Sequence, residues 1–195
     1  MNQAARKATP LTLEQFLAWY QQQPGRYEFA DGEIIAMAPG RVRHGVTKGE
    51  VFVALRDAVK KAQLPCVVFP DGIGVAIEGR NWREPDAVVH CGPTLDPEAI
   101  MAERPVILVE VVSPSSERDD TRAKLVEYFT VDSVMHYLIV DPYNRLVIHH
   151  ARAGEGKILT AILRTGTLAL DPPGLAVDVA DLLPVVPEPT ESRQD

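Results

Sequence analysis

Four charged side chains have the types and spacing to do chemistry together: Glu28, Asp86, Glu110 and Lys124. Asp86 follows Pro85 and opens the short apolar run Ala87 to His90, whereas Glu110 interrupts the most apolar segment of the chain, Val106 to Val112. Burying a lone ionised carboxylate costs several kcal/mol unless it is paired or bound to a metal. Glu110 therefore needs a basic partner or a metal ion, or it must face a solvated cleft. If the two runs are neighbouring strands, Asp86 and Glu110 aim at one point from the same sheet face. With the backbone carbonyl of Val111 they make a hard-oxygen set suited to Mg²⁺ or Mn²⁺. Such an ion can bind a phosphate oxygen, acidify an attacking water and stabilise a leaving oxygen.

Lys124 lies on the segment after Glu110, with Asp120 four residues before it and Tyr128 four after, all on one helical face. Near a metal, such a lysine would orient water or neutralise charge growing on phosphorus. The competing reading is a plain Asp120–Lys124 surface pair. Glu28, taken alone, is a solvated strand charge. Between Arg41 and Lys61 six basic residues face only Glu50 and Asp57, a local charge of +4 in a chain of −7. Arg41, Arg43 and Lys48 are the candidate phosphate contacts there, against the alternative of a solvated helix face.

The elements that must position these groups can be read from pattern. Thr12 with Gln15 has the form of a capping box before Phe16, Leu17, Trp19 and Tyr20, and Pro24-Gly25 ends that helix. Asp31-Gly32 between Tyr27–Ala30 and Glu33–Met37 predicts a two-residue hairpin. Apolar residues at helical spacing predict a helix over 42–63. Short β-branched runs follow at Val67–Phe69, Ile73–Ile77 and Ala87–His90, with Gly79 to Arg83 as a connection. The continuous run around Glu110 reads as a strand buried on both faces. Ser116 and Asp119 predict the start of a helix reaching Phe129, and Val134–Val140 and Leu146–His150 predict two more strands. Trp82, beside Arg83, reads as packing rather than base stacking. The expected fold is α/β (α+β): a mixed sheet flanked by helices, over residues 11–183, with a flexible N-terminus 1–10 and a disordered Pro-rich tail 184–195.

Composition narrows the function classes. With 46% hydrophobic and 24% charged residues the chain has an ordinary globular balance, and its acidic net charge excludes a histone-like binder. Cys66 and Cys91 lack neighbouring histidines, so neither a disulfide framework nor a cysteine-rich zinc site is expected. His44, His90, His136, His149 and His150 lack zinc-ligand spacing. Ser113, Ser115 and Ser116 lack a G-x-S-x-G context, which removes a serine hydrolase. No apolar run spans a membrane and no secretory leader is visible, so a cytoplasmic protein with no membrane partner is expected.

Tyr27-Glu28-Phe29, Asp31-Gly32-Glu33, His44, Pro85-Asp86, Leu108-Val109-Glu110-Val111-Val112-Ser113-Pro114, Asp120 with Lys124 and Tyr128, and Tyr137 to Pro142 occur in that order. This ordered set resembles the Uma2 family, a bacterial group with the restriction-endonuclease-like PD-(D/E)XK fold. The resemblance implies a central mixed sheet flanked by helices, preceded by an N-terminal helix and hairpin, with a divalent metal site at the sheet's open edge. Asp86 matches the PD aspartate, Glu110 the (D/E)XK acid and Glu28 an acid contributed early in the chain; His44 matches a histidine near the cleft. Val112 stands where the general pattern has lysine, and Lys124 on the following helix fits the displaced lysine. The implied activity is Mg²⁺- or Mn²⁺-dependent hydrolysis of phosphodiester bonds in DNA, with a homodimer as the expected assembly. A nuclease-fold binding or scaffolding protein with little cleavage is the alternative, since fold does not fix function.

Overall fold

The computed structural model describes residues 11–112 and 118–187. Helix α1 (Leu13–Tyr20) starts as its capping box requires: the Gln15 N–H donates to Thr12 Oγ1, and the Thr12 N–H donates to Gln15 Oε1. Strands β1 (Tyr27–Ala30) and β2 (Glu33–Ala36) form the expected hairpin. Its turn residues Asp31 and Gly32 both have positive φ (51° and 85°), the mirror-image turn that matches strand twist. Helix α2 (Val42–Lys61) buries Thr47, Val51, Leu55, Ala58 and Val59.

Strands β3 (Val67–Pro70), β4 (Val75–Ile77), β5 (Asn81–Arg83), β6 (Ala87–His90) and β7 (Pro105–Val111) follow. After them come α3 (Arg118–Tyr128), β8 (His136–Asp141), β9 (Leu146–Arg152), β10 (Ile158–Leu163), β11 (Thr167–Leu170), β12 (Leu175–Asp178) and α4 (Val179–Leu182). The main sheet has the order β10-β9-β8-β7-β6-β3, and only β7 and β8 run parallel. A second sheet, β2-β1-β5-β4, carries the hairpin, and β11-β12 form a small ribbon. The mixed sheet with helices is thus present as expected.

The core explains the sidedness. Val89, Ile107, Val109, Leu138 and Val140 pack under Val51, Leu55 and Val59 of α2. Val88, Leu108, Tyr137 and Ile139 pack on the other face with Tyr128 of α3. Because both faces are covered, β7 shows no polar alternation until Glu110.

Two readings of the sequence are corrected. The segment 79–83 is not only a connection, because Asn81–Arg83 form a strand and Phe29 pairs with Trp82. Burial decides this. Trp82 packs with Phe16 and Phe29, and a Cβ on Gly74 would come within 2.0 Å of the indole, so that position must be glycine. Cys66 and Cys91 also form a disulfide. The β3–β6 register pairs Val67 with His90, so the next pair outward is Cys66 with Cys91, at a Cα–Cα distance of 4.3 Å. Ser116 and the side chains of Asp119 and Asp120 lie outside the described residues, and with them the expected helix cap and the Asp120–Lys124 pair.

Candidate active site

Antiparallel pairing of β6 with β7 sets Ala87 opposite Val109, which brings Asp86 beside Glu110 at one end of the sheet. The Asp86 N–H donates to Val109 O (2.9 Å), and its carboxylate then accepts from the Val111 N–H (2.7 Å). The side chain of Asp86 thereby continues the ladder one step past the end of its strand. From α2, one turn apart on the same face, Lys48 Nζ reaches Asp86 Oδ1 (2.8 Å) and His44 Nε2 approaches Asp86 Oδ2 (3.5 Å). Burial alone would raise the Asp86 carboxyl, but His44, Lys48 and the Val111 N–H together hold it below its ordinary value.

Glu110 faces α3. Tyr128 donates its hydroxyl to Glu110 Oε1 (2.6 Å), and Lys124 Nζ lies 3.1 Å from the same oxygen. Lys124 also lies 3.0 Å from Glu28 Oε1, so one buried ammonium links two carboxylates. Burial is the largest influence on Glu110. With Asp86 and Glu28 it outweighs Lys124 and Tyr128 and pushes the carboxyl up to about 7. The protonated form of Glu110 is therefore favoured in this buried setting.

Glu28 is buried rather than solvated, which corrects the reading of it as a surface strand charge. Arg83 Nη1 pairs with its Oε2 (2.9 Å), and the Glu84 N–H donates to its Oε1 (3.3 Å). Arg83 also grips Glu127 through Nε (2.6 Å) and Nη2 (2.9 Å). Arg83 and Glu127 were not legible as site residues. The available signal was Arg83's place two residues before Pro85, and only the β1–β5 pairing gives it meaning.

The basic residues divide. Arg41, His44 and Lys48 line a cleft of about 460 Å³ with Asp86 on its wall. Arg43 is on another side of α2 with its guanidinium over the Tyr143 ring, 5.4 Å from the centroid. Lys48 is engaged by Asp71 and Asp86, so it is held in place at the cleft wall rather than free in solvent. Trp82 is core, as expected. His149 and His150 lie on opposite sides of β9: His149 Nε2 meets His136 Nδ1 (2.9 Å), and His150 Nδ1 meets Thr160 Oγ1 (2.8 Å).

The donor set is compatible in kind with a divalent cation: two carboxylates and the Val111 carbonyl, all hard oxygen donors. His44 Nε2 sits 2.8 Å from Val111 O as well as beside Asp86, so an ion there would take over contacts that the imidazole now makes. Among the described residues, no group of three or more His, Cys, Asp or Glu side chains is arranged to hold a metal by itself. No described helix is long and apolar enough to cross a membrane.

Comparison with known proteins agrees with this architecture. The family model "Uma2: Putative restriction endonuclease" matches residues 13–185. Two uncharacterized Synechocystis proteins are similar. Slr1290 is 28% identical over 131 residues (67% of this chain, 68% of that protein), and sll1609 is 26% identical over 156 residues (78% and 88%). A crystal structure of a "putative nuclease belonging to DUF820" from Anabaena variabilis superposes with a TM-score of 0.69 at 16% identity, covering 89% of this chain and 97% of that one.

Proposed function

Since the chain belongs to the Uma2 family, we propose that it is a metal-dependent endonuclease that hydrolyses phosphodiester bonds in DNA. The observation that carries this reading is the convergence of Glu28 and Glu110 on buried Lys124, with Asp86 beside Glu110 on the wall of a cleft lined by basic groups. Asp86, Glu110 and the Val111 carbonyl would hold Mg²⁺ or Mn²⁺, which when bound supplies polarisation of the phosphoryl oxygen and a more acidic water. Lys124, held by two carboxylates, would orient the nucleophilic water and offset charge growing on the phosphoryl oxygens. Glu28 anchors that lysine, and Arg83 in turn anchors Glu28. His44, Arg41 and Lys48 border the approach to Asp86.

The test is nicking of supercoiled plasmid at low salt by the wild type and Asp86→Ala, each with Mg²⁺, Mn²⁺ or EDTA. Cleavage that requires the ion and vanishes in the variant is expected. A folded wild type that cleaves under none of these conditions would overturn the reading. One observation favours a second reading, a nuclease-fold binding or scaffolding protein: Asp86 is already ion-paired with Lys48, with His44 close to its other oxygen. Partner or DNA binding unchanged in Asp86→Ala, without wild-type cleavage, would support it.

A further inference from the structure

Arg26 precedes β1 and was not among the residues singled out for chemistry. It lines the same cleft as Asp86. Its guanidinium is fixed on two sides: Nε donates to the buried Glu84 carboxylate (2.9 Å) and Nη1 to Asp71 Oδ2 (2.7 Å). Its remaining nitrogen, Nη2, is buried and has no hydrogen-bond partner among the described residues. A buried charged donor left without an acceptor is costly, and native structures rarely tolerate one without a reason.

Asp71 supplies that reason. The same Oδ2 that accepts from Arg26 also accepts from Lys48 Nζ, and Lys48 reaches on to Asp86. One carboxylate oxygen thus bridges two cations on the cleft wall. The Asp71 and Arg26 side chains are about equally exposed (37% and 36%), but Asp71 lies in the Pro70–Asp71–Gly72 turn, where Gly72 has φ of 95° and open space around it. Arg26, by contrast, is pinned from behind by Glu84. The cations are therefore fixed, and the acceptor between them sits on an exposed turn.

We propose that Arg26 and Lys48 form a phosphate-binding subsite beside Asp86, and that Asp71 is its internal stand-in, displaced when a phosphodiester group binds. The subsite rests on the nuclease reading above for the source of the phosphate, a strand of nucleic acid. The chemistry favours the exchange. A phosphate offers several acceptor oxygens, enough for Nη1, Nη2 and Lys48 together, and Arg–phosphate pairs form bidentate, charge-assisted hydrogen bonds. A single carboxylate oxygen serves two of those donors and leaves Nη2 unmet.

The subsite makes an inverted prediction: deleting a charge that makes two ion pairs strengthens ligand binding. Binding of a fluorescein-labelled single-stranded oligonucleotide is followed by anisotropy at low salt with EDTA present, so that no cleavage intervenes. Thermal melts confirm that each variant is folded. Asp71→Asn is expected to tighten binding about tenfold, and Arg26→Gln to weaken it about tenfold, the scale of one charged hydrogen bond. Arg26→Lys, which keeps the charge and loses the fork, is expected to weaken binding as well. In Asp71→Asn/Arg26→Gln the gain disappears. Unchanged or weaker binding by Asp71→Asn overturns the proposal. A gain that persists without Arg26 also overturns it, because the effect is then only the protein's net charge. Inorganic pyrophosphate, titrated calorimetrically against the same variants, separates the two readings. The same ranking with pyrophosphate but no oligonucleotide binding keeps the subsite and removes the nucleic-acid reading. No binding of either ligand by wild type and Asp71→Asn removes the subsite.

Discussion

Lys124 Nζ stands 3.1 Å from Glu110 Oε1, although one residue is on β7 and the other on the helix that follows it. Val112, directly after the end of β7, is the position at which the family resemblance implies a lysine in the general pattern. A side chain there would leave from the sheet two residues after Glu110, whereas Lys124 arrives from α3 above it. The ammonium reaches the same carboxylate from a different element and gains Glu28 as a second partner.

Removing that ammonium leaves two carboxylates facing each other in a buried site. Lys124→Ala is expected to lose about 3 kcal/mol of stability, the usual scale for orphaning a buried ion pair. It is also expected to lower cleavage by about a hundredfold or more, as for loss of an electrostatic stabiliser of the transition state. Urea melts and plasmid nicking read the two effects separately, and full cleavage by a folded variant would remove Lys124 from the reaction.

Glu110 sets a pH dependence. Burial and the nearby Asp86 and Glu28 hold its carboxyl at about 7, so near neutral pH a large fraction is protonated. If the proposed ion binds here, its affinity is expected to rise with pH through this region, because it must displace that proton. The Tyr128 hydrogen bond pulls the carboxyl downward, so Tyr128→Phe is expected to move the midpoint to higher pH. Calorimetric Mn²⁺ titrations at several pH values decide this; the same midpoint in both proteins would mean that Tyr128 does not tune Glu110. The sign for stability is opposite. Between its ordinary value of 4.5 and about 7 the folded state holds the Glu110 proton more tightly than the unfolded state, so this group makes stability fall as pH rises.

His149 acts the other way. Burial, with His136 and His150 close by, lowers it from 6.5 to about 4. His136 Nε2 donates to the Pro172 carbonyl, so its Nδ1 accepts from the His149 Nε2–H, and the pair is satisfied while neutral. Between about pH 4 and 6.5 the unfolded chain binds the extra proton, so this group's contribution to stability is lost as pH falls. Comparing urea melts of wild type and His149→Gln isolates the effect. The wild type should lose stability relative to the variant on acidification, and parallel pH curves would refute the assignment.

The disulfide ties edge strand β3 to β6 across a sequence separation of 25 residues. A closed loop of that length restricts the unfolded chain by about 3 kcal/mol in the chain-entropy model. Urea midpoints measured with and without a thiol reductant should differ accordingly, and Cys66→Ser should match the reduced protein.

Several elements were legible because their signals are local. The Thr12–Gln15 cap, the Asp31-Gly32 turn and the apolar run around Glu110 each depend on neighbouring residues, and each appears where expected. Strand β5 was read as a connection because three residues carry no periodicity, and only the fit of Trp82 against Phe16 and Phe29 makes it a strand. The disulfide was missed for a related reason: two cysteines with no local motif become partners only through the β3–β6 register.

The candidate site divides the same way. Sequence alone was enough to mark Glu110 as a carboxylate in need of a partner, because its charge conflicts with the apolar strand around it, to set Asp86 at the start of a candidate neighbouring strand, and to place Lys124 and Tyr128 on one helical face. Which partner met which carboxylate was decided by the tertiary structure. Antiparallel register set Asp86 beside Glu110, α3 brought Lys124 between Glu110 and Glu28, and the second sheet delivered Arg83 and Arg26. Residue type and spacing are local properties of a chain, whereas an ion pair is a distance between segments, and that distance exists only once the sheets have paired and the helices have packed.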